Sequence, residues 1–251
     1  MFGFLYLLKR NQKQKDKRKP SIPKPEPTPV EKSGGSMQFN YSNDDTAQLY
    51  YLSYSNNNNL LIGTQSFTIE WFQFWQDEAS FPRIFSIGSY DENNIQIAVS
   101  YESGLFYFWN GMTPIDIGSA PQQDEWRHMA IVGNGTNLIT VYNNGIEQGS
   151  FTVNYDLQND ILLDLTIGNE TSPSPVANFK GNITNFRWVV GTQVYTSDFT
   201  PPTSPLTAIP GTQVLLLTEN NSNFVVDSSP NSLTPTTNQG VIFSTSSPFT
   251  N

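Results

Sequence analysis

The sequence predicts an all-β protein, a two-sheet antiparallel sandwich that follows an extended N-terminal arm. Three observations predict this fold class. The 251 residues include 17 Gly, 17 Pro, 17 Phe and 11 Tyr, a composition that favours strands and turns over helices. From Met37 onward, apolar residues alternate with period two in short runs. No segment sustains the 3.6-residue apolar spacing of an amphipathic helix.

The charge divides the chain into two physically different parts. Residues 1–35 carry nine basic and three acidic residues, a net charge of +6. The rest of the chain carries four basic and 19 acidic residues, a net charge of -15. A body this acidic repels phosphate backbones, so we expect it to make no contact with nucleic acid.

The arm contains an apolar and basic anchor peptide, residues 1–19, and a Pro/Gly-rich linker, residues 20–35. Eight apolar residues at its start fall well short of the roughly 20 that a membrane-spanning helix needs. The following basic segment is typical of a chain that meets an anionic surface, either a membrane or acidic neighbouring proteins. The linker alternates Pro with polar residues, which favours an extended spacer. The predicted anchor residues are Phe2, Phe4, Leu5, Leu7, Leu8, Lys9 and Arg10. The alternative is a disordered terminus with no task.

The body, residues 36–251, reads as a succession of strands. In SFTIEWFQFW the pattern places Phe67, Trp71 and their alternating neighbours on one face, and Glu70 and Phe72 on the other. Similar runs follow in RIFSIGS, NIQIAVS, GLFYFWNG, EWRHMAIVG, NLITVY, LLDLTIG, ITNFRWVV and QVLLLT. Asn143-Asn144-Gly145 lies between two such runs and predicts a hairpin turn, because Asn and Gly tolerate positive φ.

The order of these runs resembles a known family. The most specific matches are W-R-H-M-A leading into a V-Y-x-N-G hairpin, and F-x-G-x-I-x-x-F-R ahead of Y-T-x-D-F-x-P-P. Together they resemble the laminin G-like, concanavalin A-like jelly-roll family over roughly residues 36–251. The resemblance implies two curved antiparallel sheets with loops clustered along a rim. Family members with this closing motif occur in the particle, tail and fibre proteins of viruses that infect microbes, so the resemblance also implies a virion.

Composition and spacing argue against an enzyme. The chain has no Cys, which excludes a disulfide framework, a Cys-ligated metal and a thiol nucleophile. Glycosidases of the resembled fold carry two Glu and one Asp at alternate positions of one strand. No E-x-D-x-E pattern occurs here, and Glu70 stands alone among aromatic residues. The adjacent pairs at Asp77, Asp91 and Asp124 point to opposite faces if they lie in strands, so we interpret them as solvated turns.

The single histidine, His128, shares a strand face with Trp126 and Ala130. In the resembled family the Trp-x-His-x-Ala pattern marks the fold, so we expect a packed, hydrogen-bonded structural histidine. No second His or Cys offers it a catalytic partner. We also expect Trp126 and Trp71 to be buried in the core.

Glycan binding is the sharper functional hypothesis, because aromatic rings and Asn or Asp side chains occur together in the predicted turns. The candidate ligand-binding residues are Tyr50, Tyr51, Tyr54, Tyr90, Asp91, Trp109 and Asn110. Each has a structural alternative, since strand aromatics commonly lie in the core and Asn clusters commonly form turns. Family members sometimes bind a structural calcium through rim Asp and Asn oxygens. No D-x-D-x-D run occurs here, so we predict no metal-ligand residues and no cofactor.

The sequence therefore predicts a non-enzymatic structural or binding module. Its arm tethers it in a larger assembly, which we take to be a virus particle in which it is a minor, capsid-associated protein. Its predicted partners are other proteins of that assembly. The alternative is a glycan-binding lectin that the arm displays at a surface.

Overall fold

The structure is a computed structural model that describes residues 34–40, 50–55, 58–76, 82–88, 95–153, 164–170, 177–238 and 240–249. Its strands are β1 (Ser36–Asn40), β2 (Leu52–Tyr54), β3 (Ser66–Trp75), β4 (Arg83–Ile87), β5 (Ile97–Glu102), β6 (Leu105–Trp109), β7 (Pro114–Ser119), β8 (Trp126–Asn134), β9 (Leu138–Asn143), β10 (Ile146–Thr152), β11 (Leu165–Ile167), β12 (Lys180–Val190), β13 (Thr212–Leu216), β14 (Thr236–Thr237) and β15 (Val241–Ser244). The only helical element in these ranges is a 3-10 turn at Asn58–Leu60.

The strands form two antiparallel sheets. The eight-stranded sheet has the order β10-β9-β8-β3-β12-β1-β15, and β13 pairs with the second half of β12 beside β1. The seven-stranded sheet has the order β14-β2-β11-β4-β5-β6-β7. This arrangement confirms the predicted all-β, two-sheet antiparallel jelly-roll sandwich. No helix in the described ranges is long and apolar enough to cross a membrane.

The core lies between the two sheets and is rich in aromatic rings. Trp71 of β3 packs edge to face against Phe85 of β4, with ring centroids 5.4 Å apart. Phe85 also contacts Phe186 of β12, at 5.7 Å. Trp75 of β3 lies 4.7 Å from Tyr101 of β5. Each of these pairs joins the two sheets, and a buried ring contributes several kcal/mol through the roughly 150–250 Å² that it removes from water.

The predicted hairpin is confirmed. Asn144 and Gly145 connect β9 to β10 as a two-residue turn, with φ of 48° and 77°. Positive φ at both residues is the geometry that matches the twist of the two strands. A Cβ on Gly145 would overlap the carbonyl oxygen of Phe199, whose N–H donates to the Gly145 carbonyl at 2.8 Å. The turn therefore also anchors a distant segment.

That segment, residues 191–210, covers part of the outer face of the eight-stranded sheet. Tyr195 and Phe199 stack with a centroid separation of 3.6 Å. Both pack against a small outer cluster of Ala130, Val132 and Tyr142. The Y-T-x-D-F motif thus closes over the strands that carry the W-R-H-M-A and V-Y-x-N-G motifs, which explains physically why these motifs occur together.

Trp126 departs from the prediction. His128 and Trp71 are buried as expected, but Trp126 is only half-buried. It lies at the first position of β8 on the outer face, opposite Phe74, with ring centroids 5.8 Å apart. The prediction that Trp126 belongs to the core was wrong, because the segment that covers His128 and Ala130 leaves this end of the strand partly open to solvent.

The predicted anchor peptide, residues 1–19, lies outside the described residues, as do residues 20–33 of the predicted linker. The anchor residues and the two boundaries within the arm therefore stay predictions. The described part of the chain begins at residue 34, two residues before β1.

Candidate functional site

The structure divides the predicted ligand-binding tyrosines between core and surface. Tyr50 and Tyr54 are buried in the main core, where β2 turns Tyr54 toward the opposite sheet. The expectation that they bind a glycan was therefore wrong, because their rings are not accessible to one. Tyr51 is half-buried beside them. Tyr90 and Asp91 lie outside the described residues.

Trp109 and Asn110 lie together at the end of β6, on the outer face of the seven-stranded sheet. The Trp109 indole donates a hydrogen bond to Ser100 Oγ at 2.7 Å, and the Arg83 guanidinium lies 4.3 Å from the centre of its ring. The Asn110 amide donates to the Gln96 carbonyl at 2.8 Å. Trp109 is only 7% exposed, so it forms the floor of this region rather than an open stacking surface.

A buried ion pair holds the Arg83 side chain in place. Its Nε donates to Glu170 Oε2 at 2.9 Å, and both side chains are more than nine-tenths buried. The Asn169 side chain accepts from the Glu170 N–H at 2.8 Å and donates to Asn178 at 2.7 Å. Because a buried charge without a partner is strongly unfavourable, the fold needs Glu170 to neutralise the buried guanidinium of Arg83. Sequence reasoning missed this pair, which joins residues 87 positions apart.

The strand register extends this region into a continuous polar face. Cross-strand neighbours share a face of the sheet, and one row across it consists of Thr236, Ser53, Thr166, Ser86, Ala98, Trp109 and Pro114. The next row contains Arg83, Ser100, Tyr107 and Asp116. Tyr107 is half-buried and Asp116 is exposed. We name Gln96, Ser100, Tyr107, Trp109 and Asn110 the outer-face site.

A second polar cluster lies on the outer face of the eight-stranded sheet. Glu70 is 0% exposed and accepts hydrogen bonds through both oxygens. Arg187 donates to Oε1 from Nε at 2.9 Å and from Nη2 at 2.5 Å. Tyr195 Oη donates to Oε2 at 2.8 Å, and His128 Nε2 lies 3.1 Å from the same oxygen. Because a carboxylate only accepts, His128 Nε2 is the donor in this contact.

These contacts add partners that the sequence did not show and confirm one expectation. Glu70 is bound by Arg187, Tyr195 and His128, so His128 has an acidic partner although the chain has no second His or Cys. Burial raises the pKa of Glu70, but the His128 hydrogen bond and the Arg187 charge outweigh it, so the pKa lies below its ordinary value of 4.5. Burial, followed by the Glu70 charge, raises the pKa of Tyr195. The cluster is covered by residues 191–210, and His128 is the packed structural histidine that the sequence predicted.

Two further carboxylates of the described part hold turns of the backbone or lie in them. Asp227 is buried and accepts from the backbone N–H groups of Leu215, Ser229 and Leu233, which fixes a turn. Asp124 occupies a turn with φ of 58°, as predicted for the Asp124-Glu125 pair. The described ranges contain no group of three or more His, Asp or Glu side chains that could hold a metal ion. A structural calcium stays a prediction.

Comparison with solved structures shows the fold. A protein of Bacteroides ovatus ATCC 8483, proposed to bind carbohydrate, is similar with a TM-score of 0.60 and 15% identity, over 86% of this chain and 60% of that chain. The heptameric SAP-like pentraxin of Limulus polyphemus is similar with a TM-score of 0.55 and 14% identity, over 86% of this chain and 97% of that chain. The chain thus spans less than two thirds of the Bacteroides protein. No curated protein matches it.

A sequence profile of the concanavalin A-like lectin/glucanases superfamily matches residues 45–193, which is more than half of the chain. The matched range includes β2 to β12, and so both sheets and the strands that hold Glu70, His128 and Trp109. The family expected from the sequence is therefore confirmed: the chain belongs to the concanavalin A-like lectin/glucanase superfamily.

Proposed function

We propose that the protein is a non-enzymatic, glycan-binding jelly-roll module. The observation that carries the proposal is that two buried glutamates, one on a strand and one in a loop, are each bound to an arginine. Glu70 is bound by Arg187, and Glu170 is bound by Arg83. Glycoside hydrolysis needs two carboxyl groups that flank one bond, an acid and a nucleophile or base. Neither carboxylate is available for such a pair, whereas the outer-face site offers hydroxyl, amide and aromatic groups.

The outer-face site has the composition that a neutral sugar requires. Tyr107 and Asn110 are both partly exposed and so are available for contact. Ser100 and Trp109 are buried beneath them and hold each other through the 2.7 Å hydrogen bond. An aromatic ring packs on the apolar face of a sugar, and amide and hydroxyl groups bond its hydroxyls. The carbohydrate-binding role proposed for the Bacteroides neighbour supports the same class of ligand.

A glycan array with the full chain tests the proposal. We expect Tyr107→Ala and Asn110→Ala to lose the binding that the unmodified protein shows. The matched control is Asn137→Ala, which removes an exposed asparagine from the turn between β8 and β9, in the other sheet. The proposal is overturned if no glycan is retained by the unmodified chain, or if the three variants bind equally.

The charge division favours a second candidate, a structural role in a larger assembly. The arm carries +6 and the body carries -15, so one chain presents surfaces suited to different neighbours. We propose that the arm holds the module in that assembly, a virus particle as the closing sequence motif suggests. Localisation of the protein in purified particles by immunogold labelling tests this candidate. Its absence from particles would leave the arm as a surface anchor of a lectin.

A further inference from the structure

The turn between β8 and β9 contains one of the three Asn-Gly sequences of the chain, which begin at Asn110, Asn134 and Asn144. An asparagine before a glycine can react with its own backbone, because glycine has no Cβ to hinder attack by its nitrogen on the asparagine side chain. The glycine nitrogen is the nucleophile, the side-chain Cγ is attacked, and the side-chain nitrogen leaves. The three sequences therefore share one chemistry and differ in what surrounds these atoms.

The side-chain oxygen of Asn134 is surrounded by four donors. Oδ1 accepts from the backbone N–H groups of Thr136 at 2.9 Å, Asn137 at 3.2 Å and Leu138 at 3.1 Å, and from the Thr136 hydroxyl at 2.7 Å. Attack on Cγ turns this oxygen into an oxyanion. A hydrogen bond to an anion is about twice as strong as one to a neutral oxygen, so donors already in place lower the barrier. The turn therefore forms an oxyanion hole around its own side chain.

The two nitrogen atoms that take part in the reaction are not held. Neither Asn134 Nδ2 nor the Gly135 N–H has a hydrogen-bond partner in the part of the chain that the structure describes. Asn134 and Gly135 are partly exposed and the next three residues are exposed, so water reaches the group. Because Oδ1 bonds to residues beyond Gly135, the Asn134 side chain is folded back over the Gly135 peptide. Nucleophile and attacked carbon are thus kept near each other.

At Asn110 both reacting nitrogen atoms are held. Asn110 Nδ2 donates to the Gln96 carbonyl at 2.8 Å, and the Gly111 N–H donates to the Ile95 carbonyl at 2.8 Å. These bonds fix the leaving group and the nucleophile, and both must break before the reaction can begin. The fold therefore protects the asparagine of the outer-face site.

Asn144 lies between these two cases. Among the described residues its Oδ1 has one donor, the His128 N–H at 2.8 Å. A Cβ on Gly145 would overlap the Phe199 carbonyl oxygen, so the backbone of this glycine has little room to move. Asn144 therefore has less stabilisation of the oxyanion than Asn134 and a more restricted nucleophile.

We propose that Asn134 is a self-modifying site that the β8–β9 turn activates. A hydroxide ion takes the Gly135 amide proton, the Gly135 nitrogen bonds to Asn134 Cγ, and the Cγ–Nδ2 bond breaks to release ammonia. Water then opens the cyclic imide at one of its two carbonyls, which leaves aspartate or isoaspartate. Either product adds one negative charge to the acidic body. The aspartate accepts the same four hydrogen bonds, whereas the isoaspartate adds a methylene group to the backbone of the turn.

Peptide mapping by mass spectrometry tests the proposal on the full chain, incubated at mildly alkaline pH either folded or unfolded in urea. The readout is the conversion of amide to acid at each Asn-Gly sequence. In urea we expect similar rates at all three, since each asparagine precedes glycine. In the folded chain we expect Asn134 to react at least as fast as in urea. Asn110 should react roughly tenfold or more slowly than in urea, because two hydrogen bonds must break first.

A matched pair of variants tests the oxyanion hole itself. Thr136→Val removes the hydroxyl donor and keeps the branched shape, whereas Thr136→Ser keeps the hydroxyl. Thr136 is exposed, so both variants should fold, which thermal unfolding checks. We expect Thr136→Val to slow the reaction at Asn134 by about three- to tenfold in the folded chain only, and Thr136→Ser to retain the rate. The proposal is overturned if Asn134 reacts more slowly folded than in urea, or if Thr136→Val reacts as fast as Thr136→Ser.

Discussion

Glu70 is a carboxylate whose charge depends on three neighbours. Its pKa lies below the ordinary value of 4.5 in the folded protein. A depressed folded pKa stabilises the fold above the unfolded pKa, and that stabilisation is lost as the pH falls through the folded pKa. We therefore expect the melting temperature of the unmodified protein to decrease as the pH is lowered below about 4.5, partly because Glu70 becomes protonated.

Replacing Glu70 with Gln removes the partner of the buried Arg187. We expect Glu70→Gln to destabilise the protein by about 3–5 kcal/mol at neutral pH, as the loss of one member of a buried pair does. The variant should also lose part of the acid-dependent decrease in stability. Denaturant unfolding at several pH values measures both effects. Glu219→Gln, in an exposed turn, is the control. Equal stability of the two variants would contradict the structural role of Glu70.

Trp71 and Trp126 both lie in strands but differ in burial. Trp71 is 0% exposed at the centre of the core, whereas Trp126 is half-buried at the start of β8. We expect Trp71→Ala to cost about 3–5 kcal/mol, as large-to-small core changes do, and Trp126→Ala to cost less than half of that. Urea unfolding of both variants measures the difference. A larger loss for Trp126→Ala would mean that its contact with Phe74 matters more than its exposure suggests.

Only some of the residues in the candidate sites could be predicted from the sequence. The sequence singled out Trp109 and Asn110, and the structure brings them together with Gln96 and Ser100. It did not predict the partner of Arg83, because ion pairs across 87 residues leave no local pattern. Tyr54 was misassigned because alternation gives two faces without saying which one is covered.

At the scale of an element, the hairpin glycine can be tested against a matched one. Gly145 and Gly104 have φ of 77° and 79°. An added Cβ at Gly104 meets nothing within 4 Å, whereas one at Gly145 overlaps the Phe199 carbonyl. We expect Gly104→Ala to cost about 1 kcal/mol from backbone strain alone. Gly145→Ala should cost about 2 kcal/mol more, because residues 191–210 must move. Thermal unfolding measures both, and equal losses would show that the Phe199 contact is weak.

Elements were predictable where one face is buried and the other is not. The period-two runs located β3, β8 and β9, and Asn144-Gly145 located the turn. In β12 ten of the 11 residues are buried, because residues 191–210 and the C-terminal segment cover its outer face. Alternation is weaker in such a strand. The covering segment itself has no regular structure, and only the resemblance to the family marked it as important.

At the scale of the whole molecule, we expect no hydrolysis of β-glucans or galactans. Acid and nucleophile chemistry needs two free carboxyl groups on one face, and Glu70 and Glu170 are each bound to an arginine. A reducing-sugar assay with the full chain measures this. Release of sugar that disappears in Glu70→Gln, but not in Glu219→Gln, would overturn the non-enzymatic proposal and show that the covering segment opens.

The last prediction concerns the opposite charges of arm and body. Nine basic residues among the first 35 favour an anionic surface by up to about 1 kcal/mol each near a charged membrane. Phe2, Phe4 and the leucines beside them would add apolar insertion into a bilayer or into a groove of a partner protein. We therefore expect the full chain to bind vesicles that contain phosphatidylserine, and a chain that starts at Ser36 not to bind them.

Salt distinguishes the two contributions, because it screens charge attraction and leaves apolar insertion largely unaffected. Cosedimentation at low and high salt measures both. A variant with Lys9 and Arg10 changed to Gln should lose the salt-sensitive part of vesicle binding. A variant with Leu7 and Leu8 changed to Ser should lose the part that salt does not affect. Exposed lysine and arginine are nearly absent from the body, whose net charge of -15 repels the same vesicles. If the shortened chain binds the vesicles as well as the full chain does, the arm is not the anchor. An uncharged surface of the body must then contact the membrane.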